Sequence, residues 1–196
     1  YHGTTITDSY RWLEDVKNPE VLNWFKTQAE YTNTEMAKIP NQDKLIQEFQ
    51  QLDAMRSVSY SSISKVGGNY FYKKRLPSEQ VSKLYCKQGE NGKEILLFEP
   101  QQYIPSKIFE FSITVSDDGS KIAMNLSEAG SELGDIRILD VATKQFLPDV
   151  IPHSGYGEFV EGSNTEIMYT EFKNYDTHDP ENALNTPFKL HVIGTS

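Results

Sequence analysis

Between residues 107 and 147, apolar and polar positions alternate in four short runs separated by three turn signals. Residues 108–115 (IFEFSITV) place isoleucine, phenylalanine and valine on or near one face. Asp117-Asp118-Gly119 supplies the turn that follows, because glycine tolerates positive φ and aspartate bonds its own backbone. Residues 121–126 form the next run, 136–139 the third, and 145–147 a short fourth. Alternating runs bounded by Gly, Asp and Ser predict an antiparallel meander. One four-stranded sheet cannot bury both of its faces, so the pattern also predicts neighbours of the same kind.

Such neighbours flank the stretch. Upstream, residues 65–75 (KVGGNYFYKKR) repeat the turn-then-strand pattern and residues 83–88 (KLYCKQ) repeat the third strand. Downstream, residues 161–172 (EGSNTEIMYTEF) and 189–194 (KLHVIG) do the same. The turn glycines Gly68, Gly119 and Gly162 fall 51 and 43 residues apart, and the third-strand starts Leu84, Ile136 and Leu190 fall 52 and 54 apart. Four strands repeating every 40–50 residues or so is the period of propeller blades, against a sandwich of unrelated hairpins. The units span about residues 58–98, 108–147 and 157–192, the last stopping after its third strand. A ring needs roughly 4–8 blades, so the count predicts a piece of a larger body.

Before residue 57 the period changes from two to three-and-four. Asn18 is placed as an N-cap, Pro19 at the first helical position, and Glu20 where it complements the dipole. Val21, Leu22, Trp24, Phe25, Ala29 and Met36 then form a helical stripe that Pro40 ends. A second helix opens near residues 41–43, with Leu45, Ile46, Phe49, Leu52 and Met55 on one face. The predicted fold is therefore mainly β with an N-terminal α-helical arm (residues 1–56) and a partial β-propeller (57–196). The latter comprises about two to three four-stranded antiparallel blades.

Composition narrows the function classes. The 196 residues are 37% hydrophobic and 24% charged, an ordinary soluble globular balance. A net charge of −9 argues against a nucleic-acid surface. No apolar run approaches the ~20 residues of a bilayer span. The single cysteine, Cys86, rules out an internal disulfide and is expected as a small core residue in a strand. No secretory leader is visible, and a chain starting at Tyr1 leaves open one already removed. The expected compartment is cytoplasmic or periplasmic, without a choice between them.

Candidate chemistry is sparse. The nucleophile elbow G-x-S-x-G is missing, as are a Walker loop, H-E-x-x-H and any Cys/His metal spacing, so no catalytic residue, metal or cofactor is expected in this stretch. His178, with Asp176, Asp179 and Glu181 nearby, could offer oxygen ligands to Ca²⁺ but fits no EF-hand spacing, and a solvated loop is the expected reading. His191 is expected as a packed or surface sheet residue. Asn125-Leu126-Ser127 matches a glycosylation acceptor but falls inside a predicted strand. Tyr10, Arg11, Trp12, Leu13, Glu14 and Asp15 allow two readings. One is a packing knot, with Trp12 and Leu13 buried and Arg11 paired to Glu14 or Asp15. The other is an interdomain anchor, where Arg forms carboxylate pairs and Tyr and Trp supply area.

These same residues carry a family resemblance. Asp8-Ser9-Tyr10-Arg11-Trp12-Leu13-Glu14-Asp15 closely resembles the D-P-Y-R-W-L-E-D opening of prolyl oligopeptidases, and His2-Gly3 before it also fits. Gly68-Asn69-Tyr70-Phe71-Tyr72 looks like that family's first-blade strand. Ser116-Asp117-Asp118-Gly119 with Ser127-Glu128-Ala129-Gly130-Ser131-Glu132 looks like its S-x-D-G-K and S-x-x-G-S-D segments. Leu147-Pro148-Asp149 and His191-Val192-Ile193-Gly194-Thr195 also match, so the resemblance covers nearly the whole chain in order. The related oligopeptidase B group usually carries Arg where Glu14 stands. Departures are Ser9 for Pro, residues 76–81, residues 161–164, and residues 152–159, which lack a Lys-Phe-Ser pattern. No substrate-binding residue is therefore carried over.

The resemblance implies a serine endopeptidase that cuts short peptides after proline. Its α/β-hydrolase domain would carry a Ser-Asp-His triad, and a seven-bladed propeller would cover that domain and restrict access. The helical arm would belong to the hydrolase side. This chain would then be the arm plus the first blades, inactive alone, partnered by the hydrolase domain and remaining blades and, in the whole enzyme, by a proline-containing oligopeptide. Self-association of the truncated propeller is expected through residues 167–172. The rival expectation is a stand-alone, non-catalytic module that binds protein or peptide.

Overall fold

The structure is a computed structural model that describes residues 2–105, 107, 109–128, 131–177, 179 and 181–195. The chain divides into two compact units, Tyr1–Met55 and Arg56–Ser196.

The first unit is helical. A 3₁₀ turn, Arg11–Glu14, precedes α1 (Pro19–Met36) and α2 (Gln42–Ala54). The Asn18 side chain accepts from Glu20 N at 2.9 Å and Pro19 follows it, which satisfies one orphan amide and presets φ at the next residue. α2 starts differently. Asn41 sits in the left-handed region (φ 63) with no side-chain cap bond, a conformation asparagine tolerates better than most residues. Val21 is the buried residue of α1, and α2 has none.

The second unit is built of antiparallel sheets. β1 (Ser59–Val66), β2 (Asn69–Arg75), β3 (Lys83–Gln88) and β4 (Ile95–Phe98) pair in sequence order. A short helix, α3 (Pro100–Tyr103), leads to β5 (Phe109–Val115), β6 (Lys121–Glu128), β7 (Gly134–Asp140), β8 (Gln145–Phe159), β9 (Glu166–Glu171) and β10 (Phe188–Val192). These six also pair in sequence order.

The six-stranded sheet is two blades joined by one strand. The first half of β8 pairs with β7, as in Ile151 opposite Ile136. Its second half pairs with β9, as in Phe159 opposite Ile167. The hand-over falls at Ser154, whose register partners are Gly134 on β7 and Glu171 on β9. His153 beside it takes φ 50, and Ser154 is fully buried, its Oγ donating to the Ile151 carbonyl at 2.9 Å. The break expected between 147 and 157 is thus a bend within a continuous strand. Pro148 and Pro152 lack an amide to donate, so they sit where ladder bonds are interrupted.

Two cores explain why β6 carries apolar residues on both faces. Ile122, Met124 and Leu126 point to a cluster shared with Phe71, Leu84, Leu97 and Phe98 of the first blade. Ala123, with Ile136, Ile138 and Ile151, joins Ile167 of the third. The middle blade is therefore sandwiched, and β6 reads as a near-continuous buried run. Cys86 lies in the first cluster as a buried free thiol.

One expectation is corrected here. Residues 167–172 are not the exposed patch: Ile167 is fully buried and β9 lies between β8 and β10. The free edge is β10, where Phe188 and Leu190 are 62% and 56% exposed. Pairing on both sides of β9, added to the second core, is what buries Ile167.

Candidate functional site

The predicted anchor residues form a local knot at the start of the helical unit. Asp8 Oδ1 accepts the Tyr10 amide at 2.9 Å and the Leu13 amide donates to the Tyr10 carbonyl at 2.9 Å, which winds the chain into the 3₁₀ turn. Arg11 lies 3.7 Å from Glu14, with both side chains mostly exposed, a pairing worth well under about 1 kcal/mol. Asp15 Oδ1 instead takes the Lys17 amide at 3.1 Å. The packing expectation needs correction: Trp12 is 44% exposed, Leu13 is half-buried and Tyr10 is 72% exposed. Trp12 meets Trp24 edge-on, centroids 6.1 Å apart, and Trp24 meets Phe25 at 5.2 Å. The apolar stripe is exposed too, with Leu22, Phe25, Leu45, Phe49 and Leu52 among its open members. Amphipathic helices take most of their stability from burying such a stripe.

The β unit has a cleft of about 620 Å³ beside the first core. Arg137 projects into it from β7, on the side opposite Ile136 and Ile138, which fill the second core. Its Nη1 donates to the Tyr103 hydroxyl at 3.3 Å and its guanidinium lies 5.4 Å from the Phe146 ring centre. Tyr103 is itself held edge-on by Phe109 and Phe146, at 5.9 and 5.3 Å, and by a tilted contact with Phe98 at 5.8 Å. Arg137 Nε is buried without a partner. Two acids on the rim are engaged: Asp135 by the Tyr175 hydroxyl, Glu128 by Lys107 at 2.6 Å. Burial and the Asp135 carboxylate both push the Tyr175 phenol up.

A third feature ties the blades together. Asp149 of β8, its side chain 5% exposed, accepts the Gly194 amide at 2.7 Å and lies 2.9 Å from His191 Nε2 of β10. Burial alone would raise its carboxyl, but the Gly194 N–H and His191 outweigh that and hold it below the usual range. The turns add a second tie: Asp117 Oδ2 accepts the Gly162 amide at 2.6 Å, and Asn164 Oδ1 accepts the Asp118 amide at 2.9 Å.

Among the described residues no cluster of three His, Cys, Asp or Glu side chains could hold a metal, and no helix is long and apolar enough to cross a membrane. His178 lies outside the described residues; Asp179 Oδ1 there accepts the Glu181 amide at 2.9 Å. Asn125 lies in β6 as expected, and its side-chain amide donates to the Ser154 carbonyl at 2.9 Å. Burial raises the Cys86 thiol, which makes it a poor nucleophile.

The family model described as the prolyl oligopeptidase N-terminal β-propeller domain matches residues 1–196. The chain belongs to this family. A prolyl endopeptidase of Elizabethkingia meningoseptica is 29% identical over 152 residues, 77% of this chain and 21% of that protein. One of Elizabethkingia miricola is 26% identical over 153 residues, again 77% and 21%. Among solved structures, one from a study of two prolyl endopeptidases and the role of their inter-domain dynamics superposes with a TM-score of 0.78 at 28% identity, covering 100% of this chain and 29% of that one. Prolyl oligopeptidase B from Galerina marginata, bound to a 25-residue macrocyclization substrate, shares the fold with a TM-score of 0.75 at 17% identity, covering 97% of this chain and 29% of that one. The chain thus spans about a fifth to three tenths of its relatives' lengths. Mainly β, with N-terminal helices and two sheets that do not close, it matches part of the prolyl oligopeptidase propeller domain.

Sequence reasoning found the blades and the turn aspartates, while Trp12 of the expected knot is more open than expected. It missed Arg137 and the Asp149–His191 pair. The first had a signal: a lone arginine within the apolar run Ile136-Arg137-Ile138-Leu139, alternating onto the face of the first core. The second had only two short matches, 42 residues apart, with nothing local to join them.

Proposed function

We propose that this chain is the N-terminal part of a serine endopeptidase that cleaves short peptides on the carboxyl side of proline. Catalysis would come from an α/β-hydrolase domain outside this stretch, and the blades would cover that domain and gate access to it. The observation that carries the reading is the family match over all 196 residues, joined to prolyl endopeptidase relatives at 26–29% identity. In this reading residues 1–56 belong with the hydrolase side. Tyr10, Arg11, Trp12, Leu13, Glu14 and Asp15 act as an anchor between domains, and the exposed stripe of α1 and α2 is the surface that the hydrolase covers. Open tyrosine and serine faces on β1 and the free apolar edge of β10 would be met by the remaining blades. This use of both edges disfavours a stand-alone binding module, for which an exposed apolar edge is a liability.

The test is turnover of a Gly-Pro chromogenic peptide. The full-length protein should cleave it in a manner blocked by a serine-directed reagent, and residues 1–196 alone should give none. Inhibitor-sensitive cleavage by residues 1–196, or none by the full-length protein, would overturn the assignment.

A further inference from the structure

We propose that the Arg137 cleft is a binding site for a monocarboxylate carried on an apolar body. The argument is independent of the peptidase reading. A partly buried guanidinium is costly to hold unless an anion meets it. Here its neighbours are a phenol at 3.3 Å, an aromatic ring, and a buried Nε–H with no acceptor. Among the described residues no carboxylate forms a salt bridge with it, and the two acids nearest the cleft are already taken by Tyr175 and Lys107.

The shape and walls select the rest of the ligand. About 620 Å³ lies within the usual range for small-molecule sites. Ile104, Phe109, Leu126 and Leu133 line it with apolar surface, and Tyr103 adds an aromatic wall. A planar carboxylate matches the guanidinium fork, which favours it over a point anion. Asp135 on the rim repels a second negative charge, which disfavours phosphate esters and dicarboxylates, and Lys107, which also lines the cleft, is already paired with Glu128. Arg137, the lining cation with no salt bridge to an acid among the described residues, therefore fits one carboxylate joined to a hydrocarbon or aromatic group.

The probe is 3-phenylpropionate, with the uncharged 3-phenylpropionamide as its isostere. Both are titrated into the full-length protein by calorimetry and by saturation-transfer NMR. The acid should bind at least about tenfold tighter than the amide, since a charge-assisted pair separates them. Arg137→Met keeps the apolar stem and should remove that difference while leaving amide binding unchanged. Leu133→Trp should block both ligands by filling the groove. Where Arg137→Met fails to fold, the acid-to-amide ratio on the unaltered protein, with amide shifts mapped to residues 103, 104, 107, 109 and 133–137, decides the matter. Equal binding of acid and amide, no binding of either, or an unchanged acid affinity in Arg137→Met overturns the proposal.

Discussion

Asp149→Ala tests whether the blades are held by a few buried polar ties or only by their apolar cores. The carboxylate accepts two hydrogen bonds across the junction between β8 and β10, and its side chain is 5% exposed. Truncation leaves the His191 ring nitrogen half-enclosed without a partner, costing about 1–3 kcal/mol. Gly194 is exposed, so water can replace that bond and its loss costs about 0.5–1.5 kcal/mol. Together the substitution should destabilise the β unit by about 1.5–4.5 kcal/mol. Both tryptophans lie in the helical unit, so urea unfolding should be followed by far-UV circular dichroism, with hydrogen exchange at Gly194 as the local readout. His191→Ala should cost less, because Asp149 keeps the Gly194 bond, and the double substitution should show a coupling of about 0.5 kcal/mol or more. The pH dependence has a definite sign. The folded carboxyl is held below its ordinary value, so its contribution is complete above the unfolded value near 3.9 and fades as pH falls through the folded one. The gap between the native chain and Asp149→Ala should therefore close as pH falls below about pH 4. A cost below about 0.5 kcal/mol, or a gap that persists undiminished well below about pH 4, would refute the reasoning.

Other expectations can be checked more briefly. Met124→Ala opens the fully buried first core and should cost about 2–5 kcal/mol in chemical denaturation. Gly134→Ala would put a Cβ 2.3 Å from the Leu126 carbonyl oxygen; the β6–β7 ladder must move, so a fall in Tm of several degrees is expected. Lys83 lies between Glu79 and Glu99 at 2.8 and 2.7 Å. Lys83→Met leaves two facing acids without their shared cation, so the urea midpoint should fall at pH 7. Asn18→Ala should lower α1 helicity and cost about 1 kcal/mol, read by circular dichroism of the helical unit.

What could be read from the sequence was whatever local chemistry decides. Turn residues and period-two alternation placed the strands, and Asn18-Pro19 placed the start of α1, because each signal acts over a few residues. Burial was harder. Trp12 carries the apolar surface of a core residue, yet it is 44% exposed, since burial requires a partner surface that its own sequence does not describe. The extent of β8 was hidden because the second unit reads as ending at 147 and the third as starting at 157, the stretch where one blade's ladder hands over to the next. Arg137 had a local signal, but its partner Tyr103 lies 34 residues away and is brought beside it only by the fold.

The uninterrupted run of β8 has a mechanical consequence. The second and third blades share a covalent backbone through the bend at His153, so tension on β10 passes through that strand into β7. Among the described residues the first and second blades share no strand ladder and meet through side chains, such as Lys73 donating to the Phe111 carbonyl at 2.8 Å. Under load, the joint between those two should part like a seam, while the later pair tears as one sheet.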